Sequence, residues 1–308
     1  MCDVRPTLFR RLLRASSETP RTSHRPPERR PQCRCVPWGH VTDRIWERYV
    51  AVGDSFTEGL MDPSPHDPDV YVGWADRLAA HLAAHHAERG AAFGYANLAI
   101  RGRLVADAAG PQLDAALDLT PDLVSFSAGG NDCLRPKVDI DDITAQVESA
   151  VARIRDTGAD VLLVTAPNVR EAPIVHRLNS RVAEFTANLW GIATRHDCYV
   201  LDMWNLTPLR DSRMWAEDRI HFSPEGHARI AAEAAYVLGT SDDAEAVTWR
   251  EPLPAAPPLT RWETIAADRE WARTHLRPWI VRRIRGRSSG DGRTPKRPAV
   301  EPFPLEES

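Results

Sequence analysis

Between about residues 46 and 240, short apolar runs alternate with stretches of helical periodicity. The apolar runs fall near 48–52, 93–98, 122–127, 161–165 and 199–202. They are continuous rather than alternating, the pattern of strands buried on both faces. In the first intervening stretch Trp74, Leu78 and Leu82 recur at i, i+4 and i+8, which predicts a helix over about 72–88 with one buried face. Further helices are predicted over 104–118, interrupted at Gly110-Pro111, over 139–157 ending at Gly158, over 175–196 with a kink near Gly191, and over 224–239. Ser223 fits the N-cap of the last, with Pro224 at its first position. Strand and helix alternate about five times, which predicts a parallel sheet of about five strands covered by helices on both faces, a three-layer α/β/α domain over 46–240. Ligands bind such sheets at the carboxyl ends of the strands. Ser55, Gly102 and Asn131 each follow a predicted strand, so the topology alone brings three segments towards one edge.

The flanks break the pattern. Residues 1–45 are rich in Arg, Pro and Ser without apolar period and read as a disordered basic extension. Pro252, Pro254, Pro257 and Pro258 mark a linker within 241–285, followed by a helical stretch over 261–285 with apolar positions at Trp262, Ile265, Trp271, Leu276, Trp279 and Ile280 and a break at Pro278. Residues 286–308 read as a disordered basic tail. The formal charge of −4 therefore hides an acidic body with two basic ends. Such ends are ordinarily solvated, so nucleic acid is not an expected partner. Five cysteines without paired metal-ligand spacing suit a reducing compartment, and no run reaches the ~18 apolar residues of a membrane span. A cytoplasmic location is expected. Thirty-seven Arg against two Lys point to a GC-rich genome, with Val41 a candidate start of the native chain.

The candidate chemistry begins at Tyr49-Val50-Ala51-Val52-Gly53-Asp54-Ser55. A serine after a strand is by itself most often a helix N-cap. A serine nucleophile also needs a base, a group that orients the base, and donors for an oxyanion. Asp218 and His221, three residues apart in a loop, can set a carboxylate against one ring nitrogen and leave the other for Ser55.

Four blocks, Gly53-Asp54-Ser55-Phe56-Thr57-Glu58-Gly59, Asn97-Leu98-Ala99-Ile100-Arg101-Gly102, Gly129-Gly130-Asn131-Asp132 and Asp218-x-x-His221, resemble the SGNH-hydrolase (GDSL esterase/lipase) family over roughly 46–240. The resemblance implies a flavodoxin-like SGNH fold and a serine esterase or thioesterase acting on a small-molecule ester without cofactor or metal. Ser55 would be nucleophile, His221 base and Asp218 its orienter, with the Ser55 and Gly102 N–H groups and the Asn131 amide as the oxyanion hole. Phe56 stands where the family commonly has Leu. An acyltransferase, or an interaction protein using the basic termini, is the alternative on the same scaffold.

Other candidates carry less. His227 is expected to cap or pack, and Asp54 and Asp132 to hold turns through backbone hydrogen bonds. Cys133 is expected to be buried. Arg101 and Arg103 flank the candidate oxyanion glycine and are expected in solvent or ordinary ion pairs. Gly286-Arg287-Ser288-Ser289-Gly290 matches Gly-x-Ser-x-Gly but lacks a preceding strand. Trp190, Trp204 and Trp215 are candidates for an acyl pocket, with core packing the default. Loops 60–72 and 203–217 should form the walls of the site.

Overall fold

The computed structural model describes residues 44–170, 178–241, 248–256, 260–278 and 288–304, all within one compact unit, Arg34–Ser308. The N-terminal extension, apart from Arg44 and Ile45, lies outside the described residues, as do 171–177 and 279–287.

The five apolar runs form β1 (Arg48–Gly53), β2 (Gly94–Asn97), β3 (Leu123–Ser127), β4 (Asp160–Val164) and β5 (Tyr199–Leu201). They pair in parallel, and with the antiparallel β6 (Arg297–Pro302) the sheet order is β5-β4-β3-β1-β2-β6. Without β6 this is the flavodoxin-like order, whose switch point lies between β1 and β3.

Helices α1 (Ser55–Glu58), α2 (Gly73–Ala87), α3 (Val105–Asp107, continued to Leu113–Asp118), α4 (Gly130–Cys133), α5 (Ile140–Asp156), α6 (Asn179–His196), α7 (Pro224–Val237) and α8 (Arg261–Trp271) follow the chain. Strand alternation divides the core between the two faces. Tyr49 and Ala51 of β1 join Trp74, Leu78, Leu82, Ile230 and Ala234, from α2 and α7. Val50 and Val52 join Leu113, Val147, Val151, Ile154 and Leu189, from α3, α5 and α6. The three layers follow from both faces of one strand being apolar.

Two expectations about elements need correction. α6 passes through Gly191 without a break; glycine weakens a helix but keeps its N–H, so it does not force a kink. The interruption expected at Gly110-Pro111 is present, as a π-helical segment, Ala108–Gln112, in which Gly110 leaves helical φ/ψ. The tail 286–308 is not structureless, because β6 pairs with β2 within it. Its prolines and charges hid it, yet both are compatible with an edge strand. Within this segment Lys296 is a buried anchor: its ammonium donates to Tyr71 O (2.9 Å), Val72 O (2.6 Å) and Asp76 Oδ2 (2.9 Å). Burial pulls its pKa down from the ordinary lysine value, against the pull of Asp76.

α8 begins at a Thr260/Glu263 capping box and continues as a π-helical segment, Ala272–Leu276. Among its residues only Trp271 is buried, and Trp262, expected to face inward, is 78% exposed. Among the described residues, no helix is long and apolar enough to cross a membrane.

Candidate active site

Ser55 opens α1 directly after β1. Asp54 is its N-cap: Oδ1 accepts from Phe56 N at 3.1 Å. Gln112, delivered by the π-helical segment, brackets the strand end, its Oε1 accepting from Gly53 N at 2.6 Å and its Nε2 donating to Gly53 O at 3.2 Å. Neither the gap in α3 nor its side-chain chemistry announced that role in the sequence.

His221 Nε2 lies 2.9 Å from Ser55 Oγ, and His221 Nδ1 lies 2.6 Å from Asp218 Oδ2. A carboxylate only accepts, so Nδ1 carries the proton and Nε2 is left to accept from the Ser55 hydroxyl. The other oxygen of Asp218 accepts from the backbone N–H groups of Ile220 and His221, each at 3.0 Å. Burial pushes the Asp218 carboxyl up, but the bonds from the His221 ring and from these N–H groups outweigh it and hold its pKa at about 2. Arg219, inside the turn, has φ +57, in the left-handed region.

Gly102 also has a left-handed φ, +74, which L side chains rarely adopt. A Cβ there would collide with Ser288 Oγ, whose hydroxyl donates to Gly102 O at 3.4 Å. Ser288, from the Gly-x-Ser-x-Gly match, thus packs against the candidate oxyanion segment. That segment is fixed to α1 as well: Asn97 Nδ2 donates to Thr57 O at 2.9 Å, and Arg101 N donates to Glu58 Oε2 at 2.6 Å. The Arg101 guanidinium pairs with Glu58 and lies 5.3 Å from the centroid of the Tyr71 ring. Arg103 sits 3.4 Å from Asp107.

Gly129, φ +110, turns the chain from β3 into α4, which carries Asn131. The Asn131 amide donates to Asp54 Oδ2 (3.1 Å) and to Arg103 O (3.0 Å). Both of its protons therefore have partners, and a substrate oxygen would have to share or displace one. Burial raises the Asp54 pKa to about 6, against the bond from Phe56 N and the nearby His221. Asp132 Oδ2 accepts from Val105 N at 3.0 Å, a turn-holding role, and burial raises its pKa.

His227 is apart from this line. It is fully buried; Nδ1 accepts from Trp74 N at 3.2 Å and Nε2 donates to Leu60 O at 3.3 Å. Burial lowers its pKa to about 4, which suits a neutral packing residue. Cys133 is buried, its thiol pushed up to about 12 by burial. Trp190 is 38% exposed on α6 and is not a core residue. Trp204 packs at the edge of the core face that holds α5 and α6.

A cavity of about 690 Å³ lies between the loop before Asp218 and α8, lined on one side by Trp215, Ala216 and Arg219 and on the other by Ala267, Asp268 and Trp271. Residues of the 203–217 loop line this cavity and those of loop 60–72 do not; Ser55 and His221 are not among its lining residues.

The sequence model of the GDSL-like lipase/acylhydrolase family matches residues 51–229, more than half of the chain, and spans Ser55, Gly102, Asn131, Asp218 and His221. No curated protein sequence matches the chain. Among solved structures, LAE5, an alpha/beta hydrolase enzyme from the metagenome of Lake Arreo, Spain, is 24% identical, with 63% of this chain and 95% of that one covered at a TM-score of 0.54. Axe2, an acetylxylan esterase from Geobacillus stearothermophilus, compared as one of its catalytic mutants, is 21% identical, with 63% and 94% covered and a TM-score of 0.54. At these identities the likeness is one of fold.

Proposed function

This chain belongs to the GDSL-like lipase/acylhydrolase family, and from that premise we propose that it is a carboxylic-ester hydrolase working through a Ser55 acyl-enzyme. The observation that carries the reading is the hydrogen-bonded line from Asp218 through His221 to Ser55, at 2.6 and 2.9 Å.

In the first half-reaction Ser55 Oγ bonds to the acyl carbon while its proton passes to His221 Nε2, and the carbonyl electron pair moves onto oxygen. The N–H groups of Ser55 and Gly102 and the Asn131 amide receive that charge, the amide loosening its bond to Arg103 O or Asp54 as it does so. Collapse of the intermediate breaks the bond to the alcohol, which leaves with the proton from Nε2. Water then repeats the sequence, giving the carboxylic acid and free Ser55. Asp218 keeps Nδ1 protonated throughout and balances the imidazolium. The acetylxylan chemistry of Axe2 is that protein's own.

The test is the Ser55→Ala variant. Wild type should hydrolyse p-nitrophenyl acetate and bind a fluorophosphonate covalently at Ser55, and the variant should do neither. Hydrolysis by the purified variant at the wild-type rate would remove Ser55 from the chemistry. Extending the acyl chain of the p-nitrophenyl ester then reads the acyl class.

A further inference from the structure

The turn that carries Asp218 and His221 spends its own polar groups internally. Asp218 uses both carboxylate oxygens on Ile220, His221 and the His221 ring, and Arg219 holds an unfavourable left-handed backbone. Among the described residues, what ties the turn to the rest of the molecule at Asp218 comes from α8, beyond the family-matched residues 51–229. Trp271 Nε1 donates to the Asp218 backbone carbonyl at 2.9 Å. Arg219 Nη1 lies 2.6 Å from Asp268 Oδ1, and the same guanidinium lies 5.3 Å from the centroid of the Trp271 ring. Asp268 and Trp271 are three residues apart, hence neighbours on one helix face. A helix packed for stability buries a stripe. Among the residues of α8 only Trp271 is buried, and its indole N–H is spent on Asp218.

We infer that α8 is a brace for the acid–base turn, with Trp271 the main positioning residue and Asp268 a lesser one for the His221–Ser55 contact. The ion pair is half in solvent, with side-chain exposures of 31% and 54%, and contributes little alone. The buried indole bond sets where the Asp218 main chain sits, and through it the Nε2 of His221. A small displacement of a general base is expensive in rate because proton transfer requires hydrogen-bond contact. The inference rests on the Ser55 hydrolase reading.

The experiment compares Trp271→Phe with Trp249→Phe in the full chain. Trp249 is an equally buried tryptophan whose Nε1 donates at 2.9 Å to Glu233, so its variant loses a comparable bond away from Asp218. Trp271→Phe should lower kcat for p-nitrophenyl acetate about tenfold with KM within about twofold, while Trp249→Phe keeps the wild-type kcat. Asp268→Asn, at an exposed site, should lower kcat about twofold and serves if Trp271→Phe does not fold. An unchanged kcat in Trp271→Phe overturns the brace, and so does an equal fall in both tryptophan variants; if Asp268→Asn has to stand in, an unchanged kcat there overturns it. The proton on His221 Nδ1, followed by NMR, separates this from the hydrolase reading. Should wild type neither hydrolyse esters nor label at Ser55, that reading fails. The brace then stands if the Nδ1 resonance moves in Trp271→Phe, or in Asp268→Asn as its substitute, but not in Trp249→Phe, and falls if it stays.

Discussion

The Asn131 side-chain amide donates to Asp54 Oδ2 at 3.1 Å, while Asp54 Oδ1 accepts from Phe56 N at 3.1 Å. One carboxylate thus joins the start of α1, where Ser55 sits, to the turn after β3. It holds the amide nitrogen in the site and makes the ionised form of Asp54 the one that accepts from both. Asp54→Asn leaves one of the two donors without a full partner. We expect kcat to fall about tenfold, against ~10²–10³ for Asn131→Ala, which removes an oxyanion donor. In the Asn131→Ala background the Asp54→Asn effect should shrink to less than about threefold, because the two act as one unit. Additive losses in the double variant would mean that Asp54 does not work through Asn131.

Asp54 and His227 pull stability in opposite directions with pH. The Asp54 pKa is raised to about 6, so the fold takes up a proton that the unfolded chain releases near pH 4, and its contribution is lost as pH rises from about 4 to about 6. The His227 pKa is lowered to about 4, so its contribution is present above the unfolded value near 6.5 and is lost as pH falls towards 4. Each amounts to about 3 kcal/mol at full extent. Urea melts across pH 4–6.5 should therefore show two mirror-image differences. Relative to wild type, His227→Gln should lose ground as pH rises and Asp54→Asn should gain it. Slopes of the same sign would refute the assignment of either group.

The five parallel strands and the positions of Ser55, Asp218 and His221 were legible because they rest on local signals. Continuous apolar runs identify strands buried on both faces, and the Asp-x-x-His spacing is short enough for one turn to close. What escaped were contacts between distant segments whose sequences are individually bland. Gln112 brackets Gly53 only because a π-helical turn swings it there. Ser288 reaches Gly102 across 186 positions, and Lys296 is drawn inward by two carbonyls and Asp76, none of which is marked locally. Trp262 and Trp271 look alike in the sequence, yet one is exposed and the other buried, since the helix face is decided by the Asp218 turn it meets.

Lys296 tests the strand that the composition hid. Its three ammonium protons match the three acceptors around it, and Asp76 also accepts from the Tyr95 hydroxyl at 2.7 Å. Lys296→Met keeps the apolar stem but leaves a buried carboxylate and two carbonyls short of a partner. The expected cost is about 3 kcal/mol, in the range for breaking a buried pair. Amide exchange should quicken in β6 and in its neighbour β2 before the rest of the sheet. Wild-type stability with unchanged exchange in 297–302 would show that this anchor is not what keeps β6 on the sheet.

Asp218 has two duties that a pair of substitutions can separate. Its Oδ1 organises the turn through two backbone N–H groups, and its Oδ2 fixes the His221 tautomer at 2.6 Å. Asn retains an oxygen for the turn but presents an NH₂ to the ring, so Nδ1 becomes the acceptor and Nε2–H faces Ser55, unable to take its proton. Asp218→Asn should therefore melt near the wild-type temperature while kcat falls about 10³–10⁴. Asp218→Ala should lose a similar rate and also destabilise by about 1–3 kcal/mol, because the two N–H groups lose their acceptor. Since the Asp218 pKa lies at about 2, its contribution to stability is present above the unfolded value near 4 and is lost progressively as pH falls from there through about 2. If Asp218→Asn instead keeps most of the wild-type kcat, the carboxylate shapes the turn and nothing more, and the tautomer of His221 is set by another partner.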